Sequence, residues 1–347
     1  MNKIFFCIIF ILLAIGASCK DLRKPSKTDD NKTFNDSIYV LYPDYEVGDS
    51  RRYGVFPDST FNNYKHPNTN MSRMHTLIDF AQDYDGTIFF SKGYYQTNLI
   101  MDSKQNIDFK FDKAEFNLLH ITNEKGQPSH NITLRGTLVL YDRLGTYNSH
   151  NIKIDSVIIK TNEYKNLAKQ KSRGCHIYKG TDTLSIKYLE VHDLASGSEI
   201  YKNNHAALAI DGLRNNPTHV SIDEVYIKSS DRHGAYITGS NHIFKKIKIE
   251  KYAQGTTEGM TGMQDSDPGE ELEFSGLWIN RCNDCQFDNV DINTKLSRNY
   301  YPLKLDEGNI GRPTFIDTLT LDVKYKDTLV LDNVLTNILV KKIITID

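Results

Sequence analysis

Between His205 and Thr294 one pattern keeps returning, and it narrows the possible folds more than any other feature of the chain. The stretch His205-Ala-Ala-Leu-Ala-Ile-Asp-Gly212 is echoed by Arg232-His-Gly-Ala-Tyr-Ile-Thr-Gly239 and by Phe274-Ser-Gly-Leu-Trp-Ile-Asn280. The first two lead through a turn into second alternating runs, His219–Ile227 and His242–Ile249, and the third leads into Cys285–Ile292. Alternation with period two sends every second side chain to the same face of a strand. Short strands repeated in the same order cannot bury their apolar face alone, so they stack on their neighbours as a solenoid. The expected fold is all-β.

A chain of 347 residues, 39% of them hydrophobic, buries a substantial core, and no second domain is visible. The formal net charge of -2 excludes the global basic field of a nucleic-acid binder. Attraction for an acidic partner must then come from a local cluster. The 20 Tyr and 16 Phe suit a sheet-rich fold, and Trp278 is the single tryptophan.

The N-terminus reads as a targeting segment. Asn2-Lys3 precedes an apolar run from Ile4 to Ala17, too short to span a bilayer comfortably but suited to a signal sequence. Gly16-Ala17-Ser18-Cys19 resembles the lipobox of bacterial lipoproteins, although Gly16 stands where Leu is usual. That resemblance implies a signal over 1–18, a lipidated Cys19 as mature N-terminus and a place at the outer membrane, on the cell surface or its periplasmic side. Residues 19–37 are polar and form a flexible tether; 38–347 form the single folded domain. Cys175, Cys282 and Cys285 remain. A lone Cys-x-x-Cys is weak ground for zinc, so they read as small apolar fillers or as one local disulfide.

Residues 44–71 hold little pattern and suggest irregular structure over one end. Met74 to Ala81 reads as a helix with Leu77, Phe80 and Ala81 on one face, Thr76 as cap and Asp85-Gly86 as stop. It runs into Thr87-Ile-Phe-Phe-Ser-Lys-Gly-Tyr-Tyr95. A short amphipathic helix, Asp-Gly, a β run ending in Lys-Gly, then Tyr resembles the entrance of the pectate-lyase-like right-handed parallel β-helix proteins. The resemblance covers about residues 75 to 345. It implies a right-handed parallel β-helix with a short N-terminal helix capping the open end. Runs such as Asn106–Phe111, Asn131–Leu134 and Asn151–Ile154 fit it, each opening near Asn where a coil turns a corner.

Registering the repeats gives inner positions Leu208/Ala235/Leu277/Leu303 and Ile210/Ile237/Ile279/Leu305. The outer columns are then Ala207/Gly234/Gly276/Pro302, Ala209/Tyr236/Trp278/Lys304 and Asp211/Thr238/Asn280/Asp306, with His176 and Tyr178 heading the first two. Long loops, Asp193–Asn204 and Ala253–Glu273 among them, enter this strand and wall a groove. Small residues on its floor leave room for a chain, aromatics offer surfaces for sugar rings, and cations answer an anion. The other columns, Glu190/Tyr226/Lys248/Asp291 and His192/Lys228/Glu250/Asn293, read as a solvated face.

Proteins with such a coil and a lipoprotein signal are often polysaccharide lyases, and that resemblance implies β-elimination on a uronic-acid polysaccharide. The chemistry needs a neutralised sugar carboxylate, a base for the adjacent proton and an acid for the departing oxygen. The candidates are Arg232 and Lys304 for the carboxylate, His205 as base and Tyr236 as acid or as shared acid and base. Substrate-binding candidates are His176, Tyr178, Asp211, His233, Trp278, Asn280 and Tyr300, although His233 sits inward, where a hydrogen-bonded corner residue is the simpler reading. A glycosaminoglycan such as chondroitin/dermatan sulfate or hyaluronan is the preferred substrate, with pectin or alginate next. No cofactor is required by the sequence. Calcium is possible at Asp265–Glu273, where a solvated loop is the plainer reading. Two alternatives stay open. Arg232–Ser240 is similar to the Gly-His-Gly stretch of polygalacturonase-type hydrolases, but the paired Asp residues are absent. A non-catalytic glycan-binding surface protein would use the same groove.

Overall fold

Period-two alternation becomes strand almost wherever it is strong. In the computed structural model the described residues are 35–123, 126–162, 172–192, 206–254, 274–295, 302–306, 308, 311–322 and 338–346. Asp36–Asp347 forms one unit and Met1–Asn35 another. The first strands are β1 (Ile88–Phe90), β2 (Gly93–Tyr94), β3 (Leu99–Asp102), β4 (Gln105–Thr122), β5 (Ser129–Thr146) and β6 (Ser149–Ile159). They are followed by β7 (Gly174–Ile177), β8 (Asp182–Val191), β9 (Ala206–Ile210), β10 (Thr218–Ile227), β11 (His233–Ser240) and β12 (Ile243–Ile249). The last are β13 (Leu277–Asn283), β14 (Gln286–Ile292), β15 (Leu303–Asp306), β16 (Thr314–Asp322) and β17 (Ile338–Ile346). The protein is all-β, and its strands pair in parallel.

The pairings sort into two ladders. In the first, the leading parts of β4 and β5 are followed by β6, β8, β10, β12, β14, β16 and β17. In the second, β3 meets the tail of β4, and the tail of β5, β7, β9, β11, β13 and β15 follow. From β7 to β15 the main partners of each strand are two strands away in sequence. The inner positions expected for the second ladder are paired as such: Leu208 with Ala235, Ala235 with Leu277, Leu277 with Leu303, and likewise Ile210, Ile237, Ile279 and Leu305. All eight are buried in one core cluster.

The asparagines that open the runs have a conformational task. Asn106, Asn131, Asn151, Thr183, His219, Asn241 and Asp284 occupy successive equivalent positions at the start of the first ladder, and their φ values lie between 52° and 58°. Left-handed backbone costs an ordinary L-residue about 1–2 kcal/mol and is eased by a short polar side chain. Here the side chains also stack. Asn131 Nδ2 donates to Asn106 Oδ1 at 3.0 Å, and Asn151 Nδ2 donates to Asn131 Oδ1 at 2.6 Å.

The expected helix is present as α1 (Arg73–Asp83), but its cap is Ser72, whose hydroxyl accepts the His75 N–H at 3.2 Å. Thr76 is instead fully buried and shares a 2.7 Å hydrogen bond with the Thr69 hydroxyl. Leu77, Phe80 and Ala81 enter the core cluster together with Tyr53 and Val55 from the preceding segment. That segment, weakly patterned in sequence, holds two short 3-10 turns, Ser50–Tyr53 and Thr60–Asn63.

Cys282 and Cys285 form a disulfide, and Cys175 is a buried free thiol. His242 lies close to the Cys pair. Its Nδ1 accepts the Val220 N–H at 3.1 Å, which leaves Nε2–H to donate to the Thr238 carbonyl at 2.9 Å. Both ring nitrogens are thus engaged by backbone, so the trio is not arranged as a metal site. No helix among the described residues is long and apolar enough to cross a membrane.

Candidate active site

On the second ladder one column runs through consecutive strands: Ile100, His120, Gly145, His176, Ala209, Tyr236, Trp278 and Lys304. Two corrections to the expected register follow. His176 pairs with Ala209, not with Ala207, and Cys175 pairs with Leu208. His176 therefore heads the Ala209/Tyr236/Trp278/Lys304 column, and Tyr178 moves on beside Asp211, whose N–H donates to the Ile177 carbonyl. The shift is two residues, so the outward face is kept while the neighbours change.

The column Ala207/Gly234/Gly276/Pro302 is no groove floor. All four residues are buried. A Cβ on Gly234 would lie 2.5 Å from the Gly276 carbonyl oxygen and 2.8 Å from Ile249, and one on Gly276 would lie 2.6 Å from Ile292. These residues are small because the interior presses on them, not because a ligand needs space.

The open space lies toward the N-terminal end of the ladder. A cleft of about 590 Å³ is lined by His120, Arg143, Gly145, Tyr147, His176 and Tyr178, with Thr and Asn residues completing it. Among the described residues no carboxylate lines it. Arg143 Nε and Nη2 both donate to Nε2 of His120, at 2.9 and 2.6 Å, so that nitrogen carries no proton. Burial, then the nearby charges of Arg143 and Arg173, lower the His120 pKa to about 4, with Asp142 opposing. The ring is neutral at ordinary pH. Next to Arg143, Asp142 takes a different partner: its carboxylate accepts from Arg173 Nε at 2.7 Å and also from Nη2.

Across the cleft, His176 Nε2 lies 3.1 Å from Asp211 Oδ1, and the two side chains are 17% and 15% exposed. With the carboxylate accepting Nε2–H, the Nδ1 lone pair is left for other work. The Tyr178 ring is 4.7 Å from the His176 ring and 6.0 Å from Tyr147. Burial first, then Asp211 and Tyr147, raise the Tyr178 phenol above its usual pKa, so it keeps its proton at neutral pH.

Further along the column, Trp278 is partly buried among its neighbours. Lys304 Nζ stands 4.2 Å from its ring centroid, and the rings of Tyr236 and His233 are 4.8 and 5.0 Å away. Its Nε1–H donates to Asp306 Oδ2 at 2.7 Å. The Tyr236 hydroxyl accepts from Asn280 Nδ2 at 2.8 Å. Burial, chiefly, raises its pKa; Asp211 and Asp306 add to the rise and Asn280 opposes it.

The sequence candidates therefore separate. His176, Tyr178 and Asp211 come together at the cleft, while Tyr236, Trp278, Asn280 and Lys304 form an adjoining cluster. Arg232, expected at the groove, is 1% exposed, and a buried guanidinium cannot meet a sugar carboxylate. His233 is also buried, and its Nδ1 accepts the Ser275 N–H at 2.8 Å, so it serves the corner rather than a substrate. His205, Tyr300, Cys19 and Asp265–Glu273 lie outside the described residues. The sequence reading missed His120 and Arg143. The available signal was the two-residue spacing of Leu119/Ile121 and Leu144/Thr146, which matches Leu208/Ile210 and places them in the same inner columns.

A scan against protein-family models finds no matching family, and searches of curated proteins and of solved structures find no match. The likeness to pectate-lyase-like proteins rests on the residues quoted for it.

Proposed function

We propose that the protein is a lyase that cleaves a uronic-acid-containing polysaccharide by β-elimination in the cleft at His176. The proposal includes the winding of the two ladders as walls of one right-handed parallel β-helix, with α1 closing an end. It is supported by pairing with the strand two places away and by the repeated left-handed corner at Asn106, Asn131 and Asn151. Attachment through Cys19 would hold the domain at a membrane surface, where long polysaccharides are met.

One observation carries the reading: a guanidinium, an imidazole backed by a carboxylate and a protonated phenol surround one open space. Arg143 neutralises the sugar carboxylate, which makes the proton on the adjoining carbon acidic. Nδ1 of His176 takes that proton, with Asp211 steadying the imidazolium that forms. The electron pair left behind becomes the new carbon–carbon double bond as the bond to the glycosidic oxygen breaks. Tyr178 gives its proton to that oxygen. Lys304, Tyr236 and Trp278 lie in the same column, with Trp278 three strands from His176, roughly 14 Å at about 4.8 Å per strand. That distance suits a bound chain that extends beyond the reacting sugar.

Hydrolysis is less well supported. A glycosidase needs two carboxyl groups flanking the bond, and among the described residues no carboxylate lines the cleft. Assays on glycosaminoglycans, pectins and alginate should yield ultraviolet-absorbing unsaturated ends with at least one of them. Reducing ends without that chromophore would identify a hydrolase; retention of a polysaccharide without cleavage would identify a binder. Either result would overturn the lyase reading.

A further inference from the structure

We infer that His120 is a positioning residue that keeps Arg143 charged, uncompensated and turned toward the cleft, making this corner a clamp for a single carboxylate. The inference rests on the reading of the cleft as a uronic-acid site and deepens it by naming what recognises the acid.

Two neighbouring residues of β5 show the contrast. Asp142 pairs with Arg173 through a two-point ion pair, so that charge is cancelled. Arg143 instead donates to a neutral imidazole, and among the described residues it has no carboxylate within ion-pair distance. A neutral acceptor fixes a guanidinium without discharging it. The chosen donors matter as well. Nε–H and one Nη2–H go to His120, which leaves the edge formed by Nη1 and the outer Nη2–H. That edge matches the two oxygens of a carboxylate in fork geometry.

Gly145 supports the same picture independently. It stands between His120 and His176 in the column. A Cβ there would meet His120 Cδ2 at 3.1 Å, His120 Nε2 at 3.3 Å and Arg143 Nε at 3.5 Å. The glycine has no positive φ to require it. Its missing side chain leaves room for the His120–Arg143 pair, which a Cβ there would crowd. Among the described residues the charged and titratable groups around the pair are Arg173 and Asp142, and His176, Tyr178 and Tyr147 around the opening. The low basicity of His120 comes first from its burial and then from the two guanidinium groups beside it.

The test compares His120→Gln with His120→Glu in the full-length chain. Gln keeps a neutral acceptor, whereas Glu keeps an acceptor but cancels the charge. Binding of glucuronate and galacturonate, each against its neutral parent sugar, is measured by titration calorimetry. Wild type and His120→Gln should prefer at least one acid over its parent by about tenfold or more, and His120→Glu should lose that preference. Gly145→Ala should weaken acid binding several-fold while its melting temperature stays close to wild type. Undiminished preference in His120→Glu, equal loss in His120→Gln, or no preference in the wild type would overturn the inference. Because the readout is binding, loss of the clamp is distinguishable from absence of unsaturated product, which overturns only the lyase reading.

Discussion

The outward faces of the two ladders carry similar residue types and treat them differently. On the first ladder, charge meets countercharge across neighbouring strands: Lys246 with Glu224 at 2.8 Å, Lys245 with Asp223 at 2.7 Å, Lys187 with Asp155 at 2.7 Å. Glu190 alone gathers the Tyr188 hydroxyl at 2.6 Å, His192 at 2.6 Å and Lys228 at 3.5 Å. On the second ladder, Arg143 faces a neutral imidazole and a cleft. Those charges on the first surface are met by partners on the surface itself. The second retains charge, donor capacity and open volume in one place. Composition does not separate the two faces; partner choice does.

The sharpest way to break this comparison is to remove one cation from each face. Arg143→Ala should lower kcat/KM on the cleaved polysaccharide at least about 100-fold, within the range for lost transition-state charge stabilisation. Lys246→Ala should leave turnover unchanged and cost less than about 1 kcal/mol, as exposed ion pairs do. Equal effects of the two substitutions would erase the distinction between the faces.

Acid probes the imidazoles. His120, at the cleft, and His242, at the corner between the ladders, both have pKa values lowered to about 4, chiefly by burial. The unfolded chain protonates them near 6.5, so as pH falls it gains protons before the folded chain does. Their neutral forms contribute stability that is fully present above about pH 6.5 and is lost as pH falls toward about 4. Chemical denaturation across that range should show a loss of roughly 3 kcal/mol attributable to the fully buried His242, and His242→Gln should flatten the slope.

The smallest effect belongs to the corner that leads into the first ladder. Asn131→Ala should destabilise by about 1–2 kcal/mol, because it keeps φ at 56° without the side-chain bonds to Asn106 and Asn151. Asn131→Gly should cost less, because glycine accepts that backbone freely. A melting temperature lower in the Gly variant than in the Ala variant would separate the stacked amides from the φ requirement as the cause.

Much of the strand architecture was legible in the residues. Alternation located the inner positions from Leu208 to Leu305, and the column Glu190/Tyr226/Lys248/Asp291 stands in the register read from the sequence. Asparagine marked the corners because few other residues accept left-handed backbone there. The site was legible only in part. His176, Tyr178 and Asp211 were named, but as members of different columns, because a two-residue slip leaves alternation intact. The tails of β4 and β5 escaped because the register shifts between Phe116 and Leu118, opposite the step from Leu140 to Arg143, and irregularities of that kind interrupt the alternation that marks a strand.

The recurrence between His205 and Thr294 by itself determined the strand content and the buried face, because these follow from side-chain polarity at fixed period, whereas the parallel pairing is seen in the structure. Tertiary structure decided which residues became neighbours. His120 meets Arg143 from 23 positions away, and His176 meets Asp211 from 35. Those separations are set by loop lengths and ladder register, which no local pattern encodes. Burial decided the rest: it withdrew Arg232 into the interior and left Arg143, unremarked in the sequence, as the cation that faces the cleft.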